Sequence, residues 1–181
     1  MVNNAQPGMS DQAVKEATGR DWTQWVQCVN EHGGADMTHK DIAKMIHDSG
    51  LRGWWSQMVT VGYERIVGRR AVGQRCDGAY SASASRTVTG DLDIGLQKWL
   101  SLVEGIVEFD GALAESEPRQ SRSEKWRYWK VDLDNGSRVQ VTINDKPGGK
   151  AVIGIGHEKL ADADAVTKSK AYWKELLAQI S

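Results

Sequence analysis

The sequence predicts an α+β protein in which a small N-terminal helical bundle precedes an antiparallel sheet covered by a long C-terminal helix. Three observations predict it. Residues 10–68 carry apolar positions at three- and four-residue spacing between glycine stops. Residues 126–157 alternate apolar and polar side chains in three runs joined by turn sequences. Residues 162–180 return to a helical stripe. The expected organisation is a helical domain at 1–70, a linker at 71–79 and a sheet-and-helix domain at 80–181.

Composition excludes several functions. The 181 residues carry 23 Lys plus Arg against 24 Asp plus Glu, a formal charge of −1. Bulk charge therefore does not hold nucleic acid or an anionic membrane. No apolar run approaches the roughly 20 residues that span a bilayer. Met1 to Gly8 has neither a basic start nor an apolar core, which predicts no secretory signal and a cytoplasmic protein. Cys28 and Cys76 are too few for a disulfide framework or a thiolate metal site. Eight Trp against one Phe make indole the dominant aromatic, suited both to cores and to the walls of apolar sites.

The helices have clear punctuation. Ser10-Asp11 caps a short helix that Gly19 stops. Trp22, Trp25, Val26 and Val29 form one stripe on a second, ended by Gly33-Gly34. Thr38 with Asp41 makes a capping-box-like start for a third, whose stripe is Ile42, Met45 and Ile46 and whose end is Gly50. Gly53 precedes a fourth that is apolar over a wide arc and therefore central to the bundle. Residues 38–70 also fit a helix-turn-helix with a basic tail at Arg65, Arg69 and Arg70. The second helix of that pair opens on Gly-Trp-Trp and offers few groups that read base edges, so no nucleic-acid partner is expected.

Tyr80 to Val88 alternates small and polar residues as a strand, and Asp91 to Val103 forms a helix around Leu92, Leu96, Trp99 and Leu100. Gly105 to Glu115 reads as a further strand and Ser116 to Ser123 as a polar loop. Trp126–Leu133, Ser137–Asn144 and Ala151–His157 are three more strands, and face arithmetic sets their register. A two-residue Asn-Gly loop would mix Val139 with Asp132. A three-residue loop with Gly136 left-handed and a bulge pairs Leu133 with Ser137, Val131 with Val139, Trp129 with Val141 and Arg127 with Ile143. The second hairpin pairs Ile143 with Ile153, Val141 with Ile155 and Val139 with His157. One face is then apolar and the other polar, as a half-buried antiparallel sheet requires. Val166, Ser169, Trp173, Leu176, Leu177 and Ile180 give the final helix the stripe that covers the apolar face.

Ser85-Arg86-Thr87-Val88, Trp129 with Asn135-Gly136-Ser137-Arg138-Val139, Gly156-His157-Glu158-Lys159-Leu160 and Lys170 to Leu176 carry a family likeness. Residues 80–181 resemble the helix-grip fold of the START/Bet v 1-like (SRPBCC) superfamily, in the branch related to the C-terminal domain of the Hsp90 ATPase activator. Residues 17–22, 39–43 and 53–65 resemble the helical domain of unknown function 4287. Relatives place a proline after the first strand where this chain has Thr89-Gly90-Asp91, and Val103 to Arg122 is short for the fold. The resemblance implies a module that holds a lipid, a polyketide or another apolar small molecule between sheet and helix. Some members are polyketide cyclases or act on Hsp90. A few actinomycete members resemble self-sacrifice resistance proteins, which capture a calicheamicin-type enediyne and are cleaved in place of DNA.

The expected ligand-binding residues are Trp129, Val141, Ile143, Ile155, His157 and Trp173, with Trp99 at the mouth. Gly154 and Gly156, inside a strand where glycine weakens packing, are the candidate positions of self-cleavage. His157-Glu158 invites an acid–base reading. His39 and His47 are eight apart and do not share one helix face, and no His-Glu-x-x-His or paired-Cys spacing occurs. The sequence thus predicts no metal, no cofactor and no catalysis, with a cofactorless polyketide cyclase and an Hsp90 co-chaperone-like interaction domain as the competing readings.

Overall fold

The computed structural model describes residues 7–51, 53–75 and 77–180. The chain divides into two compact units, residues 1–72 and 73–181. Each has its own apolar core.

The first unit contains α1 (Asp11–Thr18), α2 (Trp22–Glu31), α3 (His39–Asp48) and α4 (Trp54–Ile66). Local sequence accounts for their limits. Ser10 caps α1, whose end turns left-handed at Gly19. Thr38 and Asp41 close a full capping box on α3, and Asp21 and Gln24 close another on α2. Val14, Trp22, Trp25, Val29, Ile42, Ile46, Val59 and Tyr63 form the core. The two buried indoles keep their N–H groups bonded, Trp22 to the Met9 carbonyl and Trp25 to the Thr18 hydroxyl, each at 2.9 Å. Buried Glu64 on α4 accepts from Arg70 at 2.6 Å and lies 3.1 Å from His39, so its charge is compensated.

The second unit is α+β, a five-stranded antiparallel sheet with two helices packed on it, the C-terminal one the longer. Its elements are β1 (Tyr80–Thr89), α5 (Leu92–Leu102), β2 (Glu108–Phe109), β3 (Ala112–Leu113), β4 (Arg119–Arg122), β5 (Arg127–Asp132), β6 (Arg138–Lys146), β7 (Lys150–Leu160) and α6 (Ala163–Ala178). Strand order is β1-β7-β6-β5-β4, with β2-β3 as a separate two-stranded pair.

The expected register holds throughout the central hairpins. Val131 pairs with Val139, Trp129 with Val141 and Arg127 with Ile143. Ile143 pairs with Ile153, Val141 with Ile155 and Val139 with His157. Gly136 is left-handed at φ +79°, and the Leu133 N–H donates to the Ser137 carbonyl across the three-residue turn. Asp145 extends the arrangement by accepting from the Leu92 N–H at the start of α5.

Two expectations fail, both between α5 and β5. Residues 105–115 are not one strand but a tight hairpin of two-residue strands, because Asp110 and Gly111 both take positive φ (53° and 81°) and reverse the chain. That is the turn an Asp-Gly pair favours. The polar loop at 116–123 contains β4, which pairs Arg119 with Lys130 and Arg122 with Arg127. Every residue of β4 is exposed, so it has no apolar alternation to announce it.

Gly62 on α4 gives a test of close packing. A Cβ built there would lie 2.0 Å from the Trp22 ring. Helix propensity favours Ala over Gly by about 1 kcal/mol, but the clash forces the buried indole to move, at about 1–3 kcal/mol. Gly62→Ala is expected to lower the urea midpoint of the helical unit, monitored by Trp fluorescence; a raised midpoint would contradict the packing described.

Candidate functional site

The second unit's interior is built from indoles. Trp99 of α5, Trp129 of β5 and Trp173 of α6 are almost fully buried. The single phenylalanine, Phe109, lies among them at 1 % exposure. Its ring meets Trp129 edge-on at 5.6 Å and stacks on Trp173 at 6.2 Å, while Trp99 meets Trp129 edge-on at 5.4 Å. Burial of a phenylalanyl side chain contributes about 1.5–3 kcal/mol. The Trp99 Nε1 has no hydrogen-bond partner among the described residues.

This interior borders a cleft of about 570 Å³. Leu100 and Val103 of α5, Ile106, Val107 and Ala114 at the neck of the β2–β3 hairpin, Pro118 and the Trp129 ring supply apolar wall. Glu104, Ser116, Glu117 and Gln120 supply the polar rim. Val107 stands 66 % exposed at its edge. The size falls in the usual range for small-molecule sites, and the lining mixes apolar and polar side chains.

His157 joins four segments behind this wall. Trp173 donates its indole N–H to Nδ1 at 3.2 Å. Nδ1 is therefore an acceptor and Nε2 carries the proton, which it donates to the Ser137 hydroxyl at 2.9 Å. Ser137 in turn donates to Asn135 Oδ1 at 2.6 Å. Asp110, at the tip of the β2–β3 hairpin, lies 3.3 Å from Nδ1 and accepts a short hydrogen bond from Ser169 of α6. Burial pushes the imidazole pKa below its ordinary 6.5, against the opposing pull of Asp110. The neutral ring that results is the form this bonding pattern requires.

Asp110, His157 and Ser137 follow the order of a Ser–His–Asp relay, but the polarity is reversed. A base must accept the serine proton at Nε2, whereas here Nε2 donates and the Ser137 proton points to Asn135. Ser137 is also buried at the start of β6 and lines none of the clefts described. The arrangement ties the start of β6, β7, α6 and the hairpin tip together. Among the described residues no three His, Cys, Asp or Glu side chains assemble as metal ligands.

The residues expected at the ligand site separate into groups. Trp129 lines the cleft. Trp99, Val141, Ile143, His157 and Trp173 are packed in the interior, and Trp99 is fully buried rather than standing at an opening. Ile155 is buried in the same core and also borders the outer trough described next. Gly154 and Gly156 face the other way. They line a shallow outer trough of about 550 Å³ with Ser83, Ser85, Gln140, Thr142, Glu158 and Lys174. Neither has left-handed φ, and a Cβ on Gly156 would make only ordinary contact. Cys28 lies on α2, half-buried, with its Sγ 2.9 Å from an Arg20 nitrogen; Cys76 lies outside the described residues. Sequence reasoning missed Phe109 and Asp110, and it placed Ser137 opposite Leu133 and Ser169 on the covering stripe without joining either to His157. The Asp110-Gly111 dipeptide is the one signal for the hairpin turn.

No protein-family model matches the chain, and no curated protein matches it. A solved structure that is similar is the crystal structure of CalU16 from Micromonospora echinospora, at 11 % identity and TM-score 0.38, covering 59 % of this chain and 76 % of that one. No helix among the described residues is long and apolar enough to cross a membrane.

The lowered pKa of His157 fixes a pH dependence. The unfolded imidazole binds a proton near its ordinary pKa while the folded one resists, so the unfolded state holds more protons between those values. His157 therefore withdraws stability as pH falls from about 6.5 toward its lowered folded value, and contributes no slope above that window. The difference in unfolding free energy between wild type and His157→Gln, followed by urea titration from pH 8 to 5, is expected to shrink with acidification. A difference that grows as pH falls would place the folded pKa above the ordinary value.

Proposed function

We propose that the second unit binds one apolar small molecule at the cleft between α5, the neck of the β2–β3 hairpin and β4, without turning it over. The observation that carries this is a cleft of about 570 Å³ with Leu100, Val103, Ile106 and Val107 on its apolar side and Trp129 behind them. The absence of turnover rests on the polarity of the His157 network, whose proton donor faces Ser137, and on the burial of both groups. A polyketide-cyclase reading needs a base that reaches the ligand, and His157 lies behind the cleft wall.

The most specific form of this reading is antibiotic self-resistance by capture of an enediyne, with backbone cleavage at Gly154 or Gly156. Sequence resemblance supplies that form. It requires the reactive part of the drug to lie on the outer trough, which both glycines line. Incubated with a thiol-activated enediyne, the chain is expected to break at one of these two positions by mass spectrometry; an intact chain would remove the self-sacrifice form and leave the binding module.

The uncharged fluorophore 1-aminoanthracene tests the cleft itself. Saturable fluorescence enhancement with a single class of sites is expected. Val107→Asp places a charge at an exposed position on the rim, where it does not disturb folding. It is expected to weaken binding about tenfold, because apolar surface can no longer close on the probe without desolvating the carboxylate. Unchanged affinity in that variant would move the site elsewhere.

A further inference from the structure

We infer that Phe109 occupies the seat of the ligand's aromatic ring, and that the β2–β3 hairpin swings out to yield it; the inference rests on the cleft being the binding site. Phe109 is the protein's sole phenylalanine, and it lies between the two indoles Trp129 and Trp173 as a bound planar ring would. The segment that carries it stands outside the ladder of the main sheet. Each of its strands is two residues long, and the two pair only with each other.

Backbone hydrogen bonds to the main sheet occur at the neck. Glu115 donates to the Asp132 carbonyl and Asp134 to the Leu113 carbonyl, next to the single Ala114–Leu133 bridge. The tip is held differently, through the buried Phe109 and Ala112 side chains, through the Asp110 carboxylate, which accepts from Ser169, and through the Asp110 backbone, which Tyr172 meets. Asp110 takes a positive φ, a conformation that a β-carbon-bearing residue enters reluctantly. Gly105, left-handed at φ +74° with open space around it, stands at the other end of the segment as a pivot.

Both necks of the hairpin line the cleft, through Ile106 and Val107 on one side and Ala114 on the other. Outward motion of the tip therefore joins the space vacated by Phe109 to the existing cleft and exposes the Trp129 and Trp173 faces to a guest. The ligand class that fits is planar, aromatic and uncharged, since it replaces a phenyl ring in apolar surroundings. The dense interior is then the resting state, with the protein's own ring as the competitor.

Amide hydrogen exchange of the full chain, with and without saturating 1-aminoanthracene, tests this. Displacement predicts that amides of residues 106–114 exchange at least tenfold faster in the complex while those of β5, β6 and β7 slow or hold. In Asp110→Ala, which loses the carboxylate's tie to Ser169, the probe is expected to bind at least threefold more tightly. Saturable binding with hairpin exchange slowed or unchanged would overturn the inference and leave the cleft as the site. Unchanged affinity in Asp110→Ala would overturn the tether. If the probe does not bind saturably, the cleft reading fails and the inference falls with it.

Discussion

The register of the turn at residues 134–136 is the constraint on which the second unit depends. Side chains alternate along a strand, so a slip of one residue would exchange the inner face of β6 for its outer face. Val139, Val141 and Ile143 would then face solvent, and Arg138, Gln140 and Thr142 would face the indoles. Gly136 in the left-handed conformation prevents this by making the loop three residues long. Ser137 thereby falls opposite Leu133, and its hydroxyl arrives where His157 can donate to it. The placement of His157 opposite Val139 follows from the same register carried into the next hairpin. One backbone conformation thus sets both the apolar face and the polar tie that joins it to α6.

That tie differs in kind from the packing around it. The aliphatic side chains of β6 and β7 exclude water without specifying direction, whereas the His157 network specifies which groups meet. Trp173 fixes the rotation of α6 through its indole N–H, and Ser169 on the preceding turn fixes the hairpin tip through Asp110. Each of these polar groups is buried or half-buried, so leaving one unpaired costs about 1–3 kcal/mol. The interior is consequently well determined in its resting arrangement, and the question it poses is how a module so filled admits a guest. The uneven anchoring of its parts supplies the answer proposed above. β5, β6 and β7 are held by continuous ladders, while the segment bearing Phe109 is held at its tip by side chains.

Much of this was legible in the sequence, for a physical reason. β5, β6 and β7 have one buried and one exposed face, so their alternation could be tested against each turn length until one register sorted Val131, Val139, Val141 and Ile155 together. The helix limits at Ser10, Thr38 and Gly19 were legible because caps are local chemistry. β4 was not, because Arg119 to Arg122 has no buried face and therefore no pattern. The β2–β3 hairpin was read as one strand because two-residue strands are too short for periodicity. Of the partners of His157, Trp173 alone was grouped with it, through the apolar face they share. Ser137, Ser169 and Asp110 come from the turn before β6, from α6 and from a hairpin tip, and nothing in their spacing announces that they converge. Trp99 was expected at an opening, yet its place in the interior follows from where α5 crosses the sheet, which periodicity does not encode.

The account stands most directly on where a small aryl ligand touches the protein. A heteronuclear NMR titration with 1-naphthol measures this without altering the chain. Binding at the cleft predicts saturable one-to-one shifts concentrated at residues 100–107, 114–120 and the Trp129 indole. Shifts that fail to saturate, or that gather on the outer trough around Gly154 and Gly156 while the cleft stays silent, would contradict it.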